Sequence, residues 1–371
     1  MAQTLEQLLA GRPAGRRVDA AEVAARTREA GRVLVVLDDD PTGTQSVADL
    51  PVLMTWTPDA IGWALAQGRP ALSVMTNTRG LSPAEAAQRN REVARNALSG
   101  AARIGVEIAF VSRSDSTLRG HFPLETDVLT EEVTAATGEP VDGVIVVPAF
   151  GDAGRVTVNG VHYAGSAGSY VPVVVDSVTE NDLRLLTLAI LDVQAAGSRL
   201  VFRVGPPFPR AFIGQSPHPP LQPGDLSAIR AGGLAEHARG GLVVVGSHVA
   251  LTSRRLDHRA EREQSLAIAR RVSTALVEVV RRVLAQRAPR FVVAKGGITA
   301  SDLAARGLGI ERAMVRGPML PGIVSLWEPV TGPARGIPDV VFAGNVGGPG
   351  SLADVVDILA APDTTREGRN W

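Results

Sequence analysis

Three short stretches carry side chains suited to chemistry. They are Asp38-Asp39-Asp40-Pro41-Thr42-Gly43-Thr44, Thr76-Asn77-Thr78-Arg79-Gly80 and Ser112-Arg113-Ser114-Asp115-Ser116-Thr117-Leu118-Arg119-Gly120, each following a short apolar run. Carboxylates, hydroxyls, an amide and arginines together suit a polyhydroxy acid. An arginine fork clamps a carboxylate in two bonds, while Asp and Asn hold hydroxyls. Asp in such a place also serves as general base or helps hold Mg²⁺. The competing reading is a plain turn, because Asp-Pro-Thr-Gly has good turn chemistry and Asp38 then only caps backbone. Three such loops at neighbouring strand ends favour a site.

A second set is rich in glycine and nearly free of acids. It comprises Gly246-Ser247-His248, Lys295-Gly296-Gly297-Ile298-Thr299 and Gly344-Asn345-Val346-Gly347-Gly348-Pro349-Gly350. Glycine lets backbone N–H groups approach an anion, and helix N-termini favour negative charge. One exposed terminus contributes only about 0.3–1 kcal/mol, so it takes three to point to an oligophosphate. Tight strand-to-helix turns are the alternative, and for Gly246-Ser247 the two readings weigh equally. Lys295 is the only lysine among 38 basic residues, and beside a glycine pair it is placed to meet a phosphate as a point charge.

Other signatures are weak or absent. His162 either lines a cleft or packs in a hairpin, and His121 follows the Asp115 loop towards a ligand. There is no His-Glu-x-x-His, no Gly-x-Ser-x-Gly, no Walker A sequence and no protein-kinase signature. No Gly-x-Gly-x-x-Gly follows the first strand, which disfavours a standard dinucleotide domain.

The elements that must position these loops alternate. Apolar runs at 33–37, 71–75, 104–111, 144–147, 242–245, 291–294 and 340–343 predict buried strands. Helical patterns cover 83–98 and 263–284. Ser82, Pro83 and Glu85 form a helix-start signature. Strands alternating with helices imply an α/β fold, with ligands beyond the carboxyl ends of the strands. Breaker-rich sequence between 205 and 240 predicts a connection between two α/β domains, 1–215 and 216–371, each with a mostly parallel or mixed sheet flanked by helices.

The chain has 371 residues, long enough for two domains, and 45% of them are hydrophobic. Basic and acidic residues balance at 38 each, which disfavours nucleic acid and acidic membranes as partners. Without cysteine there is no disulfide, Cys-ligated zinc, iron–sulfur cluster or thiol nucleophile. No apolar run reaches a membrane span and no secretory leader is visible, so a cytoplasmic protein is expected.

Asp38-Asp-Asp-Pro-Thr-Gly-Thr, Ser114-Asp-Ser-Thr-Leu-Arg-Gly, Pro148-Ala-Phe-Gly-Asp-Ala-Gly-Arg, Gly160-Val-His-Tyr and Gly344-Asn-Val-Gly-Gly resemble the four-carbon acid sugar kinase family. Its members include kinases for threonate, erythronate and 3-oxo-tetronate. The resemblance runs from about residue 33 to 359. It implies an N-terminal domain that binds the sugar acid and a C-terminal domain that binds ATP. The γ-phosphoryl group, with Mg²⁺, then passes to the terminal hydroxyl. It also implies nucleotide contacts at Ser247, Gly296, Gly297, Thr299, Gly344 and Gly347. Substrate contacts fall on Asp39, Asn77, Arg79 and Arg119, and catalytic roles on Asp40 and Asp115.

Two departures stand out. Ile298 replaces an acidic residue common in the family. After Thr252-Ser-Arg-Arg-Leu-Asp only residues 258–264 precede the next helix, so the nucleotide domain is shortened after residue 257. An edge strand opened in this way favours self-association. The alternatives are a degenerate member that binds a sugar acid without catalysis, and a nicotinamide-dependent hydroxy-acid oxidoreductase.

Overall fold

The computed structural model describes residues 5–10, 15–164, 167–170, 175–231, 233–246, 259–321, 324–344 and 346–363. Two compact units divide the chain, Met1–Pro217 and His218–Trp371. Both are α/β.

The first unit contains β1 (Arg32–Asp38), β2 (Leu50–Leu53), β3 (Ala71–Met75), β4 (Glu107–Arg113) and β5 (Gly143–Val147), then β6 (Arg155–Val158), β7 (Val161–Ala164), β8 (Ala167–Tyr170) and β9 (Leu200–Val204). Six of them run side by side, all parallel, in the order β2-β3-β1-β4-β9-β5. β1 shows why: Arg-Val-Leu-Val-Val-Leu-Asp is apolar on both faces, as a strand covered by helices on two sides requires. Ile61, Val93, Ala97 and Leu129, from helices Pro58–Leu65, Pro83–Ile104 and Leu124–Thr137, pack with Val35, Leu72 and Phe110. β6, β7 and β8 form a separate antiparallel sheet.

Helix Pro83–Ile104 starts where its capping box predicts. Ser82 Oγ accepts from the Glu85 amide at 3.3 Å, and the Glu85 carboxylate accepts from the Ser82 amide at 2.9 Å. Its end corrects the sequence reading of a strand over 104–111. The helix runs through Ile104, Gly105 stops it in the left-handed conformation at φ 69°, and β4 begins only at Glu107.

The second unit contains β10 (Leu242–Val245), β11 (Val292–Lys295), β12 (Arg312–Leu320), β13 (Val324–Pro329) and β14 (Asp339–Phe342), in the order β10-β11-β14-β13-β12. The first three are parallel, and β13 is antiparallel to both its neighbours, so this sheet is mixed. Helix Arg259–Gln286 spans the predicted 263–284 pattern. The breaker-rich stretch is more than a connection. It holds helices Pro207–Phe212 and Pro223–Arg230, each with proline in its first turn, where the missing N–H costs nothing. The expected shortening after residue 257 borders residues 247–258, outside the described residues.

Candidate functional site

Register places Asp38 beside Met75 of β3 on one side and Arg113 of β4 on the other. The loops after β1, β3 and β4 therefore emerge at one edge of the parallel sheet. Backbone bonds tie them together: the Asn77 amide donates to the Asp38 carbonyl at 3.2 Å and the Arg79 amide to the Asp39 carbonyl at 3.3 Å.

The side chains knit the same loops. Arg113 donates from Nε to Asp38 Oδ1 at 2.5 Å and from Nη2 to the Asp40 carbonyl. Arg79 grips Asp39 bidentately, at 2.7 and 3.2 Å, and reaches Asp40 Oδ2 at 3.2 Å. Asp40 also accepts from the Thr42 amide at 2.9 Å, capping the turn that follows. Gly43 lies against the Asp38–Arg113 pair: a Cβ there would fall 1.9 Å from Asp38 Oδ1.

The third loop closes over this cluster. Asp115 accepts from Thr117 Oγ1 and from Arg119 Nε. A Cβ at Gly120, where φ is 111°, would lie 3.1 Å from Asp39 Oδ2 and 3.0 Å from Arg203 Nη2. Arg203, on β9, donates to Ser112 Oγ at 2.7 Å and to Glu125, which also accepts from Thr78 Oγ1. Ser116 is bonded through its Oγ to Arg155 and through its carbonyl to His162.

Burial and charge oppose each other here. Burial pushes Asp38 up to about 6 against the Arg113 charge, and it also lifts Asp39 above the ordinary carboxylate range. At Asp40 burial is outweighed by Arg79 and Arg113, so its carboxyl lies below that range. At Asp115 burial is outweighed by the bonds from Arg119 and Thr117, which hold it down to about 2. Burial lowers His162 below the usual imidazole range, which favours its neutral form.

The second unit presents a different surface. In the parallel trio Val245, Lys295 and Phe342 are in register, so the turns after β10, β11 and β14 also meet at one edge. The Gly246 amide donates to the Lys295 carbonyl and the Gly296 amide to the Phe342 carbonyl, each at 2.8 Å. A Cβ on Gly344 would stand 3.7 Å from Gly296 Cα, and one on Gly296 3.8 Å from Gly246 Cα. The result is a floor of bare backbone with Thr299 at its border: a Cβ on Gly246 would fall 2.3 Å from Thr299 Oγ1. Gly297 opens the helix that carries Thr299, and Gly347 turns at φ 85° ahead of Ser351. Lys295 Nζ donates to the Ala343 carbonyl at 3.2 Å and lies 4.0 Å from the Phe342 ring centroid, so its ammonium is held by the protein beside this floor.

Asp39, Asp40 and Arg79 thus form one cluster, against which Asp115 and Arg119 close. Asn77 sits among them in the left-handed conformation, its Oδ1 buried without a hydrogen-bond partner. Gly296, Gly297, Thr299 and Gly344 meet at the second edge. Ser247 and Asn345 lie outside the described residues. Arg113 lies in a stretch the sequence marks, though without a role; Arg203 and Glu125 lie outside the marked stretches. A charge inside the apolar strand Leu-Val-Phe-Arg-Val was the available signal for Arg203. Glu125, in the first turn of a helix, gave none. Among the described residues no group of three His, Asp or Glu side chains is placed to hold a metal ion.

Comparison with known proteins follows the same division. Residues 34–172 match the family model of a sugar-binding N-terminal domain, and residues 243–352 match that of a nucleotide-binding C-terminal domain. No curated protein matches the sequence. A Haemophilus influenzae protein from a family described only as a domain of unknown function is similar in fold. Its TM-score is 0.52 at 14% identity, over 88% of this chain and 100% of that one. A Bordetella bronchiseptica protein of the same description, crystallised with citrate as a domain-swapped dimer, gives 0.37 at 22% identity over 90% and 100%.

Proposed function

The chain belongs to the four-carbon acid sugar kinase family, and on that premise we propose that it transfers the γ-phosphoryl group of ATP to the terminal hydroxyl of a four-carbon sugar acid, such as threonate, erythronate or 3-oxo-tetronate. The observation that carries this reading is the contrast between the two sheet edges. One is packed with aspartates and arginines, and the other is bare glycine backbone.

Phosphoryl transfer needs positioning and charge neutralisation more than covalent help. On the acid side, Arg119 is the cation open to an incoming carboxylate: its side chain is 62% exposed, against 20% for Arg79. Arg79 and Arg113 fix the aspartates. Asp40 and Asp115, held below the usual carboxylate range, stay ionised at neutral pH. Their role is to accept a hydrogen bond from the attacking hydroxyl and orient it, rather than to store its proton. On the nucleotide side the glycine floor lets the phosphates lie against backbone, with Thr299 and Lys295 at hand.

Titration of Mg·ATP into the full chain by calorimetry tests the nucleotide half. Binding is the expected result. A folded chain that binds a four-carbon acid but not Mg·ATP would favour the non-catalytic alternative instead.

A further inference from the structure

The small sheet β6–β8 stands apart from the strands whose ends form the acid site, yet two of its side chains converge on one residue of the Asp115 loop. Arg155, on β6, donates from Nη1 to Ser116 Oγ. His162, on β7, meets the Ser116 carbonyl through Nε2 at 2.7 Å. A carbonyl only accepts, so Nε2 carries the proton. Nδ1 is then the acceptor, and it takes the Thr157 hydroxyl at 2.9 Å. Thr157 and His162 face each other in the β6–β7 register. The hairpin is itself fixed. Asn159 and Gly160 both have positive φ, as its tight turn demands, and Asp176 accepts from their two amides at 2.7 and 3.0 Å. His162 and Thr157 are buried, so this chain of bonds is shielded from water.

We propose that Arg155 and His162 are positioning residues for the sugar-acid site, acting through Ser116 to fix the carboxylate of Asp115 and the reach of Arg119. The inference rests on the kinase reading above. Ser116 is the immediate neighbour of Asp115, and Arg119 lies three residues beyond it. Leu118 between them is left-handed at φ 64°, and Asp115 accepts from both Thr117 and Arg119. Gripping Ser116 at its hydroxyl and its carbonyl therefore sets the orientation of the peptide from which these groups project. The motif Gly160-Val-His-Tyr thereby acquires a role: His162 does not line the site but holds it from behind.

The test compares His162→Phe, which keeps a ring without the donor, with His162→Gln, which restores an N–H near the Nε2 position. Arg155→Ala and Arg155→Lys form a second pair. Steady-state kinetics are run with Mg·ATP and each four-carbon acid, and thermal melts confirm that each variant is folded. The expected result is a KM for the sugar acid raised tenfold or more by Phe and by Ala. Gln and Lys should recover most of it, and the KM for ATP should stay within twofold. A folded Phe variant with an unchanged sugar-acid KM would overturn the inference alone, as would one in which both KM values shift together. A wild-type chain that turns over no four-carbon acid would overturn the kinase reading and the inference with it. If His162→Phe fails to fold, the Arg155 pair decides.

Discussion

Asp38 and Arg113 form a buried ion pair in which neither partner has water to fall back on. Each side chain is 1% exposed. A pair of this kind adds little net stability, yet breaking it is expensive, because the remaining charge is stranded. Gly43 is small for this reason, since a methyl at its Cβ position would overlap both Asp38 and the Arg113 guanidinium. Gly43→Ala should therefore destabilise the first unit by roughly 3 kcal/mol, read from urea unfolding; a change below about 0.5 kcal/mol would show that the pair moves aside freely. Asp339 in the second unit is the opposite case. It is buried at the start of β14 with no partner for either oxygen, and burial pushes it up to about 7. An unfolded Asp titrates near 3.9, so between these values the native chain holds a proton that the unfolded chain has released. Stability from this group is full at about pH 4 and is lost as the pH rises through about 7. Asp339→Asn should remove that loss, so that the variant's advantage in urea midpoint grows between pH 5 and 8. Parallel pH profiles for the two proteins would contradict it.

Strand ends, rather than single residues, divide the labour. Two parallel ladders bring three loops each to one edge, and what those loops contain gives the two edges opposite chemistry. Gly344 tests the second edge cleanly. Its Cβ position is in ordinary contact with Gly296, so Gly344→Val fits the backbone but fills the floor with methyl groups. The expected outcome is a folded protein with Mg·ATP affinity at least tenfold weaker and sugar-acid binding unchanged, both by calorimetry; equal Mg·ATP affinity would remove the floor from the nucleotide site. At this scale the sequence was legible where chemistry is local. The apolar run of β1, the Ser82–Glu85 box and the glycine turns announce themselves in neighbouring residues. β12 and β13 did not, because Gly317 and Pro318 interrupt the pattern of a strand that is stabilised by its partners. β6 and β7 were legible only as a hairpin around His162; the contact of Arg155 and His162 with Ser116, about 40 residues back in the chain, was not. The clusters of Asp39 with Arg79 and of Asp115 with Arg119 were legible as residue types in loops. Arg203 and Glu125 were not, and the pairing of Arg113 with Asp38 was not, because these depend on pairing between distant strands and helices.

For the whole molecule, two α/β units carry two different binding chemistries, and the family to which the chain belongs unites a sugar-binding with a nucleotide-binding domain. No described helix is long and apolar enough to cross a membrane. The two departures expected from the sequence, Ile298 and a shortening after residue 257, both concern the half that matches the nucleotide-binding model, so activity of the chain is the decisive property. Phosphorus NMR of the purified chain with Mg·ATP and each four-carbon sugar acid in turn reads it directly. A new phosphomonoester resonance is expected, appearing with ADP in equal amounts for at least one acid. ATP left intact with every acid, or consumed only to inorganic phosphate, would contradict it.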